Sequence, residues 1–324
     1  MRLLQPNTRE EWLNIRKGYV SSTESAALFG MSPYATAFEI GVSKRKAAEA
    51  TDEDLIGTER TKWGLRLQDA IAQGVADDYG VQIQPMGLTY AVLDDVRMGS
   101  SFDYQIIGSG DIHPSLAGTQ LVDMFQRLGP GILEVKNVDS LEFKRKWVDN
   151  EAPEHTEIQL QHQLDVLGLP WGAIAFLIGG NKAGIILRER DRKVGNIIRK
   201  KVGGFWDDFD RGKLPDPLMP DDAEVVIALY QYAEPNKVYD GKDDNDLLDA
   251  VTDYGDMQEL AKEADLRKQI AKAKILQLIG DSERAIVPGF SISAAMRAPA
   301  EVKAYTRKGY RDFRVTAKEV KDVK

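Results

Sequence analysis

The sequence predicts an α/β fold: a central mixed sheet flanked by helices, followed by a helical and β-hairpin extension. Two observations carry that expectation. The stretch Gly131-Ile132-Leu133-Glu134-Val135-Lys136-Asn137 reads as a short buried strand with two charges embedded in it. Around it, helical and strand patterns alternate up to a break at Leu214-Pro215-Asp216-Pro217 and Met219-Pro220. The expected division is therefore a core of residues 1–215 and an extension of residues 216–324.

Glu134 and Lys136 are two residues apart, so on a strand they share one face. Charges are rarely set in an apolar strand unless they are paired or bind a metal. Glu-x-Lys places a hard oxygen ligand beside a cation able to orient water or to stabilise a developing charge. The same dipeptide spacing also occurs as a surface ion pair on solvated strands, so its neighbours decide the matter.

Before this strand, Glu11 to Gly18 reads as a short helix, and Ser22 or Thr23 as the cap of a second one ending at Gly30. Such a cap is a ready anion site, with Arg16 close in sequence; plain capping is the simpler alternative. Trp63, Leu67, Ile71 and Val75 recur every fourth residue and predict a helix from Lys62 to Tyr79, stopped by Gly80. Met86–Leu93 and Val96–Ile107 read as strands, the second containing Ser101 and Asp103. Thr119–Leu128 also reads as a strand.

After the strand, Ser140–Trp147 reads as a short basic helix and Glu154–Leu167 as a stronger amphipathic one, which carries His162. Trp171–Ile178 and Gly184–Arg188 form a strand pair, and Arg192–Asp210 a further helix. In the extension, Asn245–Ile279 reads as one helix, or a hairpin broken near Gly255, with a buried stripe that includes Leu247, Val251 and Leu260. Arg284–Met296 and Tyr305–Val315 are expected to pair as terminal strands.

Composition narrows the chemistry. The 324 residues include no cysteine, which leaves no disulfide framework and no thiolate zinc or iron–sulfur site. His113, His155 and His162 have no metal-ligand spacing as a set. A net charge of -8 argues against a generic polyanion binder, although a local basic groove can coexist with it. The start lacks an apolar signal core, and no run of about 18 apolar residues occurs. A soluble, cytoplasmic protein without a membrane partner is expected.

Taken in order, Asp103, Glu134-x-Lys136 and Gln159-x-Gln161-His162-Gln163-Leu164 resemble the PD-(D/E)XK nucleases. With Arg16-x-Gly18, Thr23-x-Ser25-Ala26-Ala27, Gly30-x-Ser32-Pro33-Tyr34 and the helix of Gly64, they resemble in particular the phage lambda exonuclease and YqaJ-like viral recombinase family. The matches span residues 12 to about 180. The resemblance implies a PD-(D/E)XK core in which Asp103, Glu134 and the Val135 carbonyl hold Mg²⁺, with Mn²⁺ as a substitute. It makes Lys136 and Gln159 catalytic partners of Asp103 and Glu134. Arg16, Thr23 and Ser101 would form a pocket for a 5′-terminal phosphate. The implied activity is 5′→3′ exonucleolytic hydrolysis of double-stranded DNA ends, in phage-type recombination beside a single-strand annealing protein. A ring-shaped homo-oligomer is implied as well.

Three positions depart from the family pattern. Phe102 replaces the proline. Gln68 stands where relatives present a glutamate to the metals, and Asp69 points some 100° away on the same helix. The gap between Asp103 and Glu134 is long and predicts an inserted hairpin within residues 108–130, with Asp111 and Asp123 as solvated loop carboxylates. The rival readings are a silent DNA-end-binding module, a restriction-type endonuclease of the same fold, and a structural protein with an accidental motif.

Overall fold

The computed structural model describes residues 1–49, 59–109, 119–147, 151–220, 222–230 and 233–297. The chain divides into two compact units, Met1–Val225 and Val226–Lys324.

The first unit begins with strand β1 (Arg2–Leu4), helix α1 (Arg9–Lys17) and strand β2 (Val20–Ser21). Helix α2 (Ser22–Ser25) follows and tightens into a 3-10 turn over Ala26–Phe29, closed by left-handed Gly30 at φ 68°. The N-cap of α2 is Ser21, one residue before the expected Ser22 or Thr23. The Glu24 carboxylate fixes this start by accepting from the Ser21 N–H at 2.7 Å and the Ser21 hydroxyl at 2.9 Å. Helices α3 (Ala37–Glu49) and α4 (Glu59–Tyr79) come next.

Strands β3 (Val81–Pro85), β4 (Tyr90–Leu93), β5 (Met98–Ser101) and β6 (Tyr104–Ser109) follow. The single strand expected over Met86–Leu93 is thus a turn plus β4, and β3 precedes it. The strand expected over Val96–Ile107 is interrupted at Phe102-Asp103, because β5 and β6 belong to different sheets.

Helix α5 covers Thr119–Leu128, where a strand and an inserted hairpin were expected. Leu121, Val122, Phe125 and Leu128 recur at helical spacing, and Leu121 and Val122 are buried in the core. Asp123 is an exposed residue of this helix, not a loop carboxylate. Asp111 and His113 lie outside the described residues.

Strand β7 (Gly131–Val138) leads through α6 (Ser140–Lys146) and α7 (Glu154–Leu167) to β8 (Trp171–Ile178), which pairs with it in parallel. Strand β9 (Lys182–Glu189), helix α8 (Arg192–Asp210) and helix α9 (Asp222–Leu229) follow. The main sheet has the order β3-β6-β7-β8-β9, and a second sheet the order β1-β4-β5-β2. Strand β7 is therefore central, buried on both faces. Ile132 and Ile174 pack into the core that holds Leu160 and Leu164 of α7. Leu133, Ala173 and Ala175 pack with Ala72 and Val75 of α4 and with Leu121 of α5. Gly172 permits the close seat of α7, since a Cβ there would stand 3.0 Å from Leu160 Cδ1 and 2.8 Å from Ile132 Cγ1.

In the second unit, α10 is one uninterrupted helix, Asn245–Ile279, capped by the Asp244 carboxylate. The stripe expected to be buried on it is not: no residue of α10 is buried. Strands β10 (Arg284–Val287) and β11 (Phe290–Ser293) pair with each other across left-handed Gly289. The expected pair was Arg284–Met296 with Tyr305–Val315, and the latter lies outside the described residues. Among the described residues no helix is long and apolar enough to cross a membrane.

Candidate active site

Asp103 sits in the link between the two sheets, and Glu134 on the adjacent strand of the main sheet. The ladder between β6 and β7 runs from Ile106–Gly131 to Tyr104–Leu133 and stops there. Asp103 supplies the next rung with a side chain, its Oδ2 accepting from the Val135 N–H at 2.8 Å. A strand residue turns its N–H and C=O toward the same neighbour, so the Val135 carbonyl faces the edge where Asp103 lies.

Glu134 is only 5% exposed and has both oxygens engaged. Oε1 accepts from Lys136 Nζ at 2.7 Å and from Gln159 Nε2 at 2.6 Å. Gln159 closes the triangle, its Oε1 accepting from Lys136 Nζ at 2.9 Å. Oε2 of Glu134 accepts from Gln163 Nε2 at 2.7 Å. The strand period places Glu134 and Lys136 toward α7, and one helical turn places Gln159 and Gln163 side by side on its facing side.

One buried and one partly buried carboxylate with a single ammonium leave an excess negative charge. Burial, then repulsion from Glu134, pushes the Asp103 carboxyl up to about 7, against the opposing pull of the Val135 N–H, Lys136 and a hydrogen bond from Gln68. Lys136 moves the other way from what its burial alone would do. Burial disfavours its charge, but Glu134 and then Asp103 outweigh that and raise its pKa, so it is a firm ammonium. A divalent cation relieves the carboxylate excess, and an all-oxygen donor set suits Mg²⁺. Asp103, Glu134 and the Val135 carbonyl thus fit such an ion. Among the described residues no group of three or more His, Cys, Asp or Glu side chains could hold a metal, so this site offers two carboxylates only.

Gln68 does reach Asp103. Its neighbour Asp69 is held elsewhere, by the Tyr104 hydroxyl. Arg16 and Thr23 are joined through Ser21: Arg16 Nη2 donates to Ser21 Oγ at 3.4 Å, and Ser21 Oγ lies 3.1 Å from Thr23 Oγ1. Arg16 also lies over the Trp12 ring at 4.4 Å. Ser101 enters through its carbonyl, which accepts from Gln163 at 3.3 Å. The Ser100–Ser22 hydroxyl contact at 2.8 Å ties this strand end to α2. Lys136, Gln159 and Thr23 share a cleft of about 140 Å³ with Tyr34, His155 and Thr156.

Two contributors escaped assignment from sequence. Gln163 was visible only as part of a glutamine-rich helix; its spacing of four from Gln159 was the available signal. The buried Lys44 ammonium holds Glu24 at 2.9 Å and the carbonyls of Arg16 and Tyr19 at 3.1 and 2.8 Å, so it sets the Arg16 loop. No sequence signal pairs it with Glu24 across the intervening turn. His162, buried on α7, meets the Gly99 carbonyl at 3.1 Å and has a structural place.

A central β7 carrying Glu-x-Lys, an aspartate at the neighbouring strand's start and a glutamine helix across the face bring together the residues that the PD-(D/E)XK resemblance implied. Residues 11–170 match the model of the YqaJ-like viral recombinase domain. It is 25% identical over 237 residues to the uncharacterized protein YqaJ of Bacillus subtilis (strain 168), covering 72% of this chain and 67% of that protein. Among solved structures, an alkaline exonuclease (LHK-Exo) from Laribacter hongkongensis aligns at 17% identity and TM-score 0.46, over 63% of this chain and 93% of that one. A phage related exonuclease from Haemophilus somnus 129PT aligns at 13% identity and TM-score 0.41, over 60% and 94%.

Proposed function

We propose that this chain is a Mg²⁺-dependent exonuclease that degrades double-stranded DNA from its ends, 5′→3′, in phage-type recombination beside a single-strand annealing protein. The observation that carries the reading is the closed triangle of Glu134, Lys136 and Gln159 next to an Asp103 carboxyl pushed up to about 7. Asp103, Glu134 and the Val135 carbonyl would hold the Mg²⁺, which would supply Lewis acidity and an activated water.

The chain's own residues do the rest. Lys136, kept protonated by Glu134, is suited to stabilise negative charge on the scissile phosphate and unsuited to take a proton from water. Gln159 fixes the ammonium by accepting from it while donating to Glu134. Gln163 holds the far oxygen of Glu134 and so sets the carboxylate plane. Arg16 and the exposed Thr23 offer charge-assisted hydrogen bonds to a 5′-phosphate, which favours attack from that end.

Digestion of linear and closed circular duplex, each with and without Mg²⁺, tests the reading. Loss of the linear form alone, only with metal, and faster from 5′-phosphorylated ends, is expected. Cutting of closed circles would make the protein an endonuclease. Equal rates on phosphorylated and hydroxyl ends would remove the role of Arg16.

A further inference from the structure

Helix α10 extends about 52 Å at 1.5 Å per residue, and its apolar side chains stand in water. Met257 is 58% exposed, Leu260 55% and Leu278 77%. No residue of α10 is buried, although tertiary packing is what ordinarily stabilises helices, and an exposed apolar run of this extent marks an interaction surface.

The sequence of α10 carries a seam. Starting at Leu247 and Ala250 and ending at Ile275 and Leu278, residues alternate in steps of three and four. Tyr254, Met257, Ala261, Ala264, Lys268 and Ala271 fall between. Only Lys268 is charged, and one charged residue in a seam fixes register at a cost in stability. The seam is also its own complement when reversed. Laid antiparallel on a second copy about a point between Lys262 and Glu263, Leu247 meets Leu278, Ala250 meets Ile275, and Ala261 meets Ala264. An interface that maps i to j and j to i is what a two-fold axis requires.

Charge agrees with the same pairing. Residues 245–261 hold five acidic and no basic residues; residues 262–279 hold five basic and two acidic ones. Acid at the start and base at the end suit the helix dipole, but that effect fades within one turn. Asp253, Asp256 and Glu259 lie deeper than that. Parallel pairing would set like halves together, and antiparallel pairing sets acid on base. Asp253 and Lys274 flank the seam on one edge, so each copy's Asp253 falls beside the partner's Lys274.

We propose that α10 is a self-association surface through which two copies of this chain join as an antiparallel, two-fold symmetric helix pair. The proposal is independent of the nuclease reading. The absence of cysteine makes it directly testable in the full chain. Ala250→Cys and Ile275→Cys proteins, differently tagged, are mixed and oxidised, and the parent is examined by sedimentation velocity.

The expected result is a concentration-dependent dimer and a disulfide joining one variant to the other. Ala264→Glu, a change between two good helix formers, should abolish the dimer with unchanged helical circular dichroism. Asp253→Lys should weaken dimerisation about fivefold, and Asp253→Lys with Lys274→Asp should restore it. A monomeric parent, cross-links only between identical variants, or an oligomer that forms no cross-link would each overturn the proposal. So would capture of a different protein on α10 in place of the second copy.

Discussion

Helix α7 buries Gln159, Gln161, His162, Gln163 and Asp165, whereas α10 leaves Leu248, Met257, Leu260, Ile270 and Leu278 in water. The two helices teach opposite lessons about burial. Polar groups on α7 are tolerated because nearly all have partners. Gln161 joins the Glu189 carbonyl at 2.9 Å and the Asp191 N–H at 2.8 Å. Asp165 pairs with Arg190 at 2.6 Å and Arg199 at 2.5 Å. Gln159 and Gln163 are spent on Glu134. The residual orphans, His162 Nδ1 and Gln163 Oε1, lie in or beside the site. On α10 the imbalance runs the other way: apolar side chains stand exposed, and no residue of the helix is buried.

The contrast breaks first at its centre. Lys136→Ala should lower cleavage at least about 10³-fold if this ammonium has the proposed role at the developing charge, while DNA-end binding measured by anisotropy persists. Wild-type cleavage by this variant would make the β7 charges structural.

Gln163→Leu keeps the volume of α7 and deletes the hold on Glu134. Metal affinity should fall about 10- to 100-fold, the usual effect of losing a group that orients a ligand. Terbium luminescence of the DNA-free protein reads this directly. A variant that melts earlier but binds metal normally would show Gln163 to be a packing residue only.

The pH dependence follows from Asp103. Its carboxyl is pushed up to about 7, so a proton competes with the metal below that point and not above it. Apparent metal affinity should improve about tenfold per pH unit from 5.5 to 7 and level off beyond, with proton release on binding. In the metal-free protein the sign is reversed. The folded state holds this proton more tightly than the unfolded one, so stability falls as pH rises from the ordinary carboxylate range toward 7 and is flat above. Calorimetry in buffers of different ionisation enthalpy measures both.

The smallest effect is expected off the seam of α10. Leu266, 63% exposed, makes no buried contact, and Leu266→Gln should leave unfolding free energy within about 0.5 kcal/mol of the parent. A larger loss would mean that this side of α10 is covered as well.

Sequence made the charged central strand legible because charges inside an apolar run are costly and therefore conspicuous. Gln159 was legible through its helix. What escaped depended on contacts distant in sequence. Asp103 interrupts a strand because the chain changes sheets there, which no local pattern signals. Thr119–Leu128 was misread because a short apolar run between glycines suits either period, and its helical spacing of Leu121, Phe125 and Leu128 decides only on inspection of the facing core. The α10 stripe was read as buried because hydrophobic periodicity reports a face that seeks cover, without saying whose surface provides it.

The rung between Asp103 and Val135 has a spectroscopic consequence. One main-chain amide in the middle of the sheet donates to an ionisable side chain in place of a carbonyl. That hydrogen bond is charge-assisted while the carboxylate is bare and weaker once it is protonated. The Val135 amide resonance should therefore move through a single sigmoid centred on Asp103's titration, before any substrate is present. A site whose chemistry is otherwise silent would then carry its own proton gauge, readable at one backbone nitrogen.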